Sequence, residues 1–116
     1  MIQLKRVYEP LKEEEGTLFL VERLWPRGIK KEALKSATWL KEVAPSTELR
    51  KWFDHDPAKW CAFKAKYLEE LAQDPARWEP ILQAARKGRV TLLYSARDTE
   101  HNNALVLKGF LDAKFR

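Results

Sequence analysis

The chain has 116 residues, the length of one domain, and its 22 basic and 17 acidic side chains give a formal net charge of +5. Hydrophobic residues make up 45% and charged residues 34%, which excludes a disordered polar chain. No apolar stretch approaches the roughly 20 residues of a membrane helix, and the first residues lack a signal core. We therefore expect a single domain, residues 1–116, in the cytoplasm and with no membrane partner.

The first half of the chain predicts strands separated by loops. Residues 2–7 alternate apolar and charged side chains, and residues 18–21 form a continuous apolar run typical of a strand covered on both faces. Proline and glycine within residues 25–28 break regular structure. A short helix is predicted at 31–35 and a third strand at 38–43.

The middle of the chain predicts helices with strong start signals. Ser46 is a candidate N-cap, and Asp56 and Asp74 each precede a proline at the first helical position. Gly88 stands where the last of these helices would end. Apolar side chains follow these starts at helical spacing, and the predicted core of the two later helices is Trp60, Phe63, Tyr67, Leu71, Trp78, Ile81, Leu82 and Ala85.

The last part of the chain completes the predicted sheet. Residues 90–94 form a second buried strand, and Thr99 is predicted to begin a final helix with Ala104, Leu107 and Leu111 on its buried face. Helical connections between buried strands favour parallel pairing. The predicted fold is α/β: a single compact layered domain with a mostly parallel sheet of three or four strands, flanked by helices.

Polar side chains follow the two buried strands, where ligands bind in open parallel sheets. Glu22 comes directly after residues 18–21, and His101 lies in the segment after residues 90–94. If the two strands are neighbours, these segments converge on one pocket. A guanidinium fork suits a carboxylate or phosphate, so we predict a site for a small anionic ligand. The predicted ligand-binding residues are Arg23, Trp25, Arg27, Ser95, Arg97, Asn102 and Asn103.

The two arginines nearest the first strand end have a second interpretation. Arg23 can be a structural residue paired with Glu22 or Asp98, and Arg27 can simply be exposed. Arginine serves both purposes in proteins, so the two interpretations stand side by side.

Two residues are candidates for acid–base chemistry. His55 lies between two aspartates, which favour its protonated form, but it can equally be a turn residue. Asp98 can act as a general base or merely favour the dipole of the following helix. Ser95 lacks the glycine-flanked elbow of a hydrolase nucleophile. Cys61 is expected to be an inert, buried thiol, and as the single cysteine it excludes an intrachain disulfide.

Established cofactor motifs are absent from the sequence. It contains no glycine-rich phosphate loop, no dinucleotide fingerprint and no paired-histidine zinc helix, and its two histidines exclude a histidine-rich metal site. The pattern indicates no metal and identifies no cofactor, reaction or oligomeric state.

The segment Glu22-Arg23-Leu24-Trp25-Pro26-Arg27-Gly28 resembles the YeaO-like family of small bacterial and archaeal proteins, a domain-of-unknown-function family. The likeness extends over nearly the whole chain. It continues through residues 44–46, 49–53 and 55–57 with Trp60, then through residues 91–96 with Asp98, and through 102–104. Glu22 stands where the family often has aspartate, and Asn103 where histidine is common, which weakens a proposal of acid–base chemistry at that position. The resemblance implies a compact α/β fold and a polar cluster, and it supplies no reaction.

Two further functions remain open from the residues alone. The basic segment 23–35, with Arg23, Trp25, Arg27, Lys30 and Lys31, can contact phosphates and stack on a base of a nucleic acid. Its modest net charge and the lack of a known binding module make this the second choice. A protein-interaction domain is the third, with an exposed patch at Trp25, Trp39 or Trp52, although most tryptophans are expected in the core.

Overall fold

The structure is a computed structural model that describes residues 2–115, apart from the side chain of Glu13. Four strands form one sheet: β1 (Ile2–Arg6), β2 (Thr17–Leu20), β3 (Ala37–Trp39) and β4 (Val90–Tyr94). Their spatial order is β1-β4-β2-β3, and each neighbouring pair is parallel. The predicted mixed α/β fold with a parallel sheet is therefore confirmed.

Strand β4 occupies the centre of the sheet, between β1 and β2. Leu93 is in register with Lys5 on one side and with Leu20 on the other. Every residue of β4 is buried, because both edges pair with a strand and both faces are covered. This arrangement explains its continuous apolar run and places the ends of β2 and β4 side by side.

Four α-helices complete the fold: α1 (Thr47–Phe53), α2 (Trp60–Gln73), α3 (Glu79–Lys87) and α4 (Asn103–Phe115). They contribute to a large apolar cluster on the sheet face that carries Phe19, Val21 and Leu92. The opposite face carries Leu18, Leu20 and Leu93 and is covered by loop residues and a short 3-10 helix, Lys31–Leu34. The side chains of β2 thus alternate between two cores, as the period of a strand requires.

The predicted N-cap of α1, Ser46, is confirmed, and a side chain of α2 holds it in place. The Ser46 hydroxyl oxygen accepts a hydrogen bond from the Leu49 amide at 3.1 Å, and the hydroxyl donates to Glu70 Oε2 at 2.6 Å. Glu70 Oε1 also accepts from the Ser46 amide at 2.9 Å. The buried Tyr67 hydroxyl donates to the Val43 carbonyl at 2.7 Å. Two side chains of α2 therefore fix the segment from Val43 to Ser46, which borders the site described below.

Several predicted boundaries are wrong. The third strand spans only Ala37–Trp39, and the chain then forms a 3-10 helix at Lys41–Val43. The last helix begins at Asn103 rather than near Thr99. Asn102 caps it, since its Oδ1 accepts from the Leu105 amide at 3.0 Å. Asp98 Oδ1 accepts from the Glu100 and His101 amides, which makes the preceding segment a side-chain-stabilised turn.

Three apolar side chains are more exposed than expected. Trp39 is 37% and Trp52 is 40% exposed, whereas Trp78 is buried as predicted. Cys61 is exposed on α2, so the expectation of a buried thiol is wrong. Each exposed indole is covered by a lysine ammonium about 5 Å from its ring, which stabilises an aromatic surface in water. Among residues 2–115, none of the helices has the length and apolar character needed to cross a membrane.

Candidate functional site

A cavity of about 430 Å³ opens at the carboxyl edge of the sheet, beyond β2 and β4. The two strand ends are joined there by a hydrogen bond from the Val21 amide to the Leu93 carbonyl, at 3.1 Å. The volume is in the range of small-molecule sites. Its polar lining consists of Glu22, Arg23 and Arg27 after β2, Arg50 and His55 from α1 and its end, and Ser95, His101, Asn102 and Asn103 after β4.

Among the described residues, Glu22 supplies the only side-chain carboxyl group that lines the cavity. Its Oε1 accepts a hydrogen bond from the Ser95 hydroxyl at 2.7 Å, which links the ends of the two central strands. Burial raises the pKa of Glu22 above its usual range, while the Ser95 hydrogen bond and the charge of Arg50 act in the opposite direction. A proton or a further hydrogen-bond donor would therefore stabilise the Glu22 carboxyl group.

The guanidinium group of Arg23 is bound to other residues in the wall of the cavity. Its guanidinium donates to the Ala44 carbonyl at 3.0 Å, the Pro45 carbonyl at 3.3 Å and Glu42 Oε2 at 3.3 Å. The side chain is only 17% exposed. These contacts match the structural interpretation of Arg23, although its acidic partner is Glu42 rather than Glu22 or Asp98.

Two arginines have free guanidinium groups at the cavity. Arg27 and Arg50 are both exposed, and neither side chain forms a hydrogen bond or ion pair with another residue in the described part of the chain. The loop of Arg27 is nevertheless held in place, because the Tyr8 hydroxyl donates to the Arg27 carbonyl at 2.9 Å. Gly28 follows with a φ of 80°, which suits glycine at this turn.

Aromatic rings form much of the remaining wall. Trp25 packs edge-on against Trp39, with ring centroids 5.3 Å apart, and its indole donates to the Ile29 carbonyl at 2.6 Å. Phe53 and Phe63 stack at 4.3 Å and line the side nearest α1 and α2. A ligand in the cavity would lie against apolar surface as well as charge.

The two asparagines after β4 hold the backbone. Asn103 donates from Nδ2 to the Val21 carbonyl at 2.8 Å. Asn102, 3% exposed, donates to the Asp98 carbonyl at 3.0 Å while it caps α4. Burial raises the pKa of the nearby Tyr67 hydroxyl, which keeps it neutral. The Asn103 amide thus joins α4 to the end of β2, and the Asn102 amide joins α4 to the turn that precedes it.

Of the two acid–base candidates, only His55 lines the cavity. It is exposed and has a φ of 56°, directly after Asp54 with a φ of 45°, so two left-handed residues end α1 at the cavity. Asp98 lies outside the lining. Backbone hydrogen bonding from Glu100 and the contact with His101 lower the pKa of Asp98. Arg97 is exposed and also lies outside the lining.

His101 lines the cavity and is held in position by two neighbouring side chains. Its Nδ1 lies 2.9 Å from Asp98 Oδ2, and its ring meets Trp60 edge-on with centroids 5.2 Å apart. Asp98 therefore acts on the cavity indirectly, by orienting this imidazole.

The sequence interpretation missed Arg50 and Tyr8 as cavity residues. Arg50 lies three residues before Phe53, so the two side chains share one face of α1, and this spacing was the available signal. Tyr8 carries no such signal. It reaches the cavity because β1 pairs in parallel with β4 and ends at the same edge of the sheet.

The fold and the cavity define a small α/β domain with a parallel sheet and an arginine-rich site at its carboxyl edge. The family model described as "Inactive DUF488-N3 subclade" matches residues 1–116. The chain belongs to this family, and within it to the YeaO-like proteins.

Relatives of similar length support this assignment. The chain is 48% identical over 110 residues to the YeaO protein of Escherichia coli (strain K12), whose name describes it as uncharacterized, with 95% of this chain and 96% of that protein covered. It is 34% identical over 113 residues to the Rv3073c protein of Mycobacterium tuberculosis (strain ATCC 25618 / H37Rv), with 97% and 95% covered. The predicted resemblance is confirmed. No solved structure matches the chain significantly.

Proposed function

We propose that this protein binds a small anionic ligand in the cavity at the carboxyl ends of β2 and β4. The observation that carries the proposal is the pair of free guanidinium groups, Arg27 and Arg50, at the edge of a concave site. Arg23 adds a third positive charge, but Glu42 compensates it. Guanidinium groups bind carboxylates and phosphates through charge-assisted hydrogen bonds, and both remaining arginines have all their donors available.

The aromatic wall strengthens this proposal. Phe53, Phe63 and Trp25 give part of the cavity an apolar wall, and electrostatic attraction grows as the local dielectric constant falls. A flat basic surface would attract anions without selecting among them. A concave site that combines charge with apolar wall favours a compact organic anion over a bare inorganic ion.

The family description supports ligand binding without catalytic turnover. The matching family model is described as an inactive subclade. Asp98, a candidate general base, is bound to the His101 imidazole and to two backbone amides. Asn103 stands where YeaO-like proteins often have histidine, and its amide cannot exchange a proton at ordinary pH.

The nucleic-acid alternative loses support from the contacts of its central residues. Arg23 donates to Glu42 and to two carbonyls, and the Trp25 indole packs on Trp39 and donates to Ile29. These contacts leave Arg23 few donors for a phosphate and hold the Trp25 ring in the wall of the cavity. Oligonucleotides therefore serve as a comparison in the binding experiment, where their effect would have to fall steeply with added salt.

A thermal-shift screen at low salt tests the proposal. Wild type would be compared with Arg27→Ala, Arg50→Ala and Arg97→Ala, the last being an exposed arginine outside the cavity lining. A ligand at a hundred times its Kd stabilises by about 2.7 kcal/mol. We expect a small carboxylate or phosphate to raise Tm in wild type and Arg97→Ala, and to lose this effect in the two cavity variants. An equal rise in all four proteins, or none in any, would contradict the proposal.

A further inference from the structure

We propose that the ligand is an amino-carboxylate, a small molecule whose carboxylate lies on Arg27 and Arg50 and whose amino group donates to Glu22. This inference rests on the proposed anion site and adds the chemical class of the ligand. Its starting point is the presence of a single carboxyl group, Glu22, among the side chains that line a cavity otherwise rich in positive charge.

Glu22 has an unused hydrogen-bonding capacity. The Ser95 hydroxyl donates to Oε1 at 2.7 Å, and no other residue in the described part of the chain donates to the carboxyl group. A carboxylate has about four acceptor positions on its two oxygens, so most of them stay open. A partly buried carboxylate with so few donors is unfavourable unless a cation or donor reaches it. The cavity is the side from which a ligand can supply one.

The arginines around Glu22 do not satisfy this need. The charge of Arg50 acts on Glu22, yet the two side chains do not form an ion pair. Arg23, the next residue in the chain, turns its guanidinium to Glu42 and to the carbonyls before α1 instead. Among the described residues, the site therefore presents a carboxylate acceptor and guanidinium donors that are not paired with each other and that have hydrogen-bonding capacity left for a ligand.

This separation selects against a simple anion. Phosphate or sulfate on the arginines would be repelled by an ionised Glu22 and would bring no donor to its Oε2. A molecule with an ammonium group beside its carboxylate meets both charges with the correct sign. The aromatic wall at Phe53 and Phe63 is then available for the side chain of the amino acid.

Matched ligand pairs test the inference by calorimetry on the full chain at neutral pH. The pairs are leucine and 4-methylpentanoate, phenylalanine and 3-phenylpropionate, and glutamate and glutarate, which within each pair differ only in the amino group. We expect at least one amino acid to bind about tenfold or more tightly than its partner, the range of a hydrogen bond to a charged group. Equal or weaker binding of every amino acid would overturn the inference.

Variants of Glu22 separate the two proposals. Glu22→Gln keeps an oxygen for the Ser95 hydroxyl but removes the charge, and should erase the preference for the amino acid. Glu22→Asp keeps the charge and should retain a preference. Arg50→Ala should weaken both members of a pair. If the carboxylates bind through Arg50 but Glu22→Gln leaves the preference unchanged, only the amino-carboxylate inference fails. If neither these carboxylates nor any phosphate in the thermal-shift screen binds, the anion site fails with it.

Discussion

Glu22 and Arg23 are neighbours in the chain, yet the fold gives them opposite tasks. The Glu22 carboxyl faces the cavity with one donor, Ser95, whereas the Arg23 guanidinium is surrounded by three acceptors from the segment before α1. Both residues line the cavity, so their different contacts make one available to a ligand and the other a part of the scaffold.

The pKa of Glu22 predicts a pH dependence of stability. Because burial raises its folded-state pKa above the ordinary 4.5, the folded chain holds this proton more tightly than the unfolded chain. Its stabilising contribution is therefore complete below about pH 4.5 and is lost as the pH rises through the folded-state pKa. Glu22→Gln cannot ionise and should gain stability relative to wild type over that window.

Denaturant unfolding of both proteins between pH 4 and pH 8 measures this difference. All other titrating groups are common to the two chains, so their contributions cancel. A difference in unfolding free energy that stays constant with pH would contradict the prediction, as would one that falls as the pH rises.

Arg23 and Arg27 form a matched pair for a second prediction. Arg23→Ala leaves the carbonyls of Ala44 and Pro45 without their donor and should cost about 1–3 kcal/mol of unfolding free energy. Arg27→Ala removes an exposed side chain without such contacts and should stay within about 0.5 kcal/mol of wild type. Denaturant unfolding at neutral pH compares them. Equal losses would show that Arg23 does not hold the wall of the cavity.

At the scale of the elements, helix starts and central strands were predictable because local chemistry determines them. Ser46 caps α1 as expected, and the apolar run of β4 reflects burial on both faces. Asp56 caps a 3-10 helix, Pro57–Lys59, that leads into α2, whereas the predicted cap Asp74 accepts from the Arg77 side chain instead of a backbone amide. The start of α4 was not predictable, because Thr99 and Asn102 both belong to residue types that are favoured at the N-cap of a helix. The choice depends on Asp98, whose side chain stabilises a turn over the intervening residues.

The cavity was predictable in part for the same reason. Once two buried strands are parallel neighbours, the polar residues after them must meet, and Glu22, Ser95 and Asn103 do. Arg50 and Tyr8 reach the cavity through the placement of α1 and β1, which depends on packing between distant parts of the chain. Local patterns carry no information on such packing.

The junction of α1 and α2 gives a prediction at this scale. Ser46→Ala removes the N-cap of α1 and one of the two contacts with Glu70, and should cost about 1–2 kcal/mol of unfolding free energy. Ser46→Thr keeps a hydroxyl and should recover most of this loss. Chemical denaturation measures both variants, and an alanine variant as stable as wild type would show that α1 is placed by its apolar face alone.

At the scale of the molecule, the two edges of the sheet have different tasks. The carboxyl edge carries the cavity, with free guanidinium groups and a partly satisfied carboxyl. The opposite edge is joined by hydrogen bonds to backbone carbonyls: the Thr17 amide donates to the Arg89 carbonyl at 2.9 Å, and the Thr91 hydroxyl to the Glu15 carbonyl at 2.7 Å. Among the described residues, the charged groups of the cavity keep hydrogen-bonding capacity for a ligand, as expected where function competes with stability.

A substitution at Gly16 tests whether the two edges of the sheet act independently. It has a φ of 75°, and a Cβ atom there would lie 2.2 Å from the Arg89 carbonyl oxygen, so Gly16→Ala must displace β2 from the start of β4. We expect a loss of about 2 kcal/mol or more in unfolding free energy. Gly88→Ala is the matched control, since a Cβ there meets nothing within 4 Å. Below its lowered Tm, the Gly16→Ala protein should still bind the cavity ligand with wild-type affinity, because the strain lies at the far edge. A parallel loss of affinity would show that the two edges are mechanically coupled through β2 and β4.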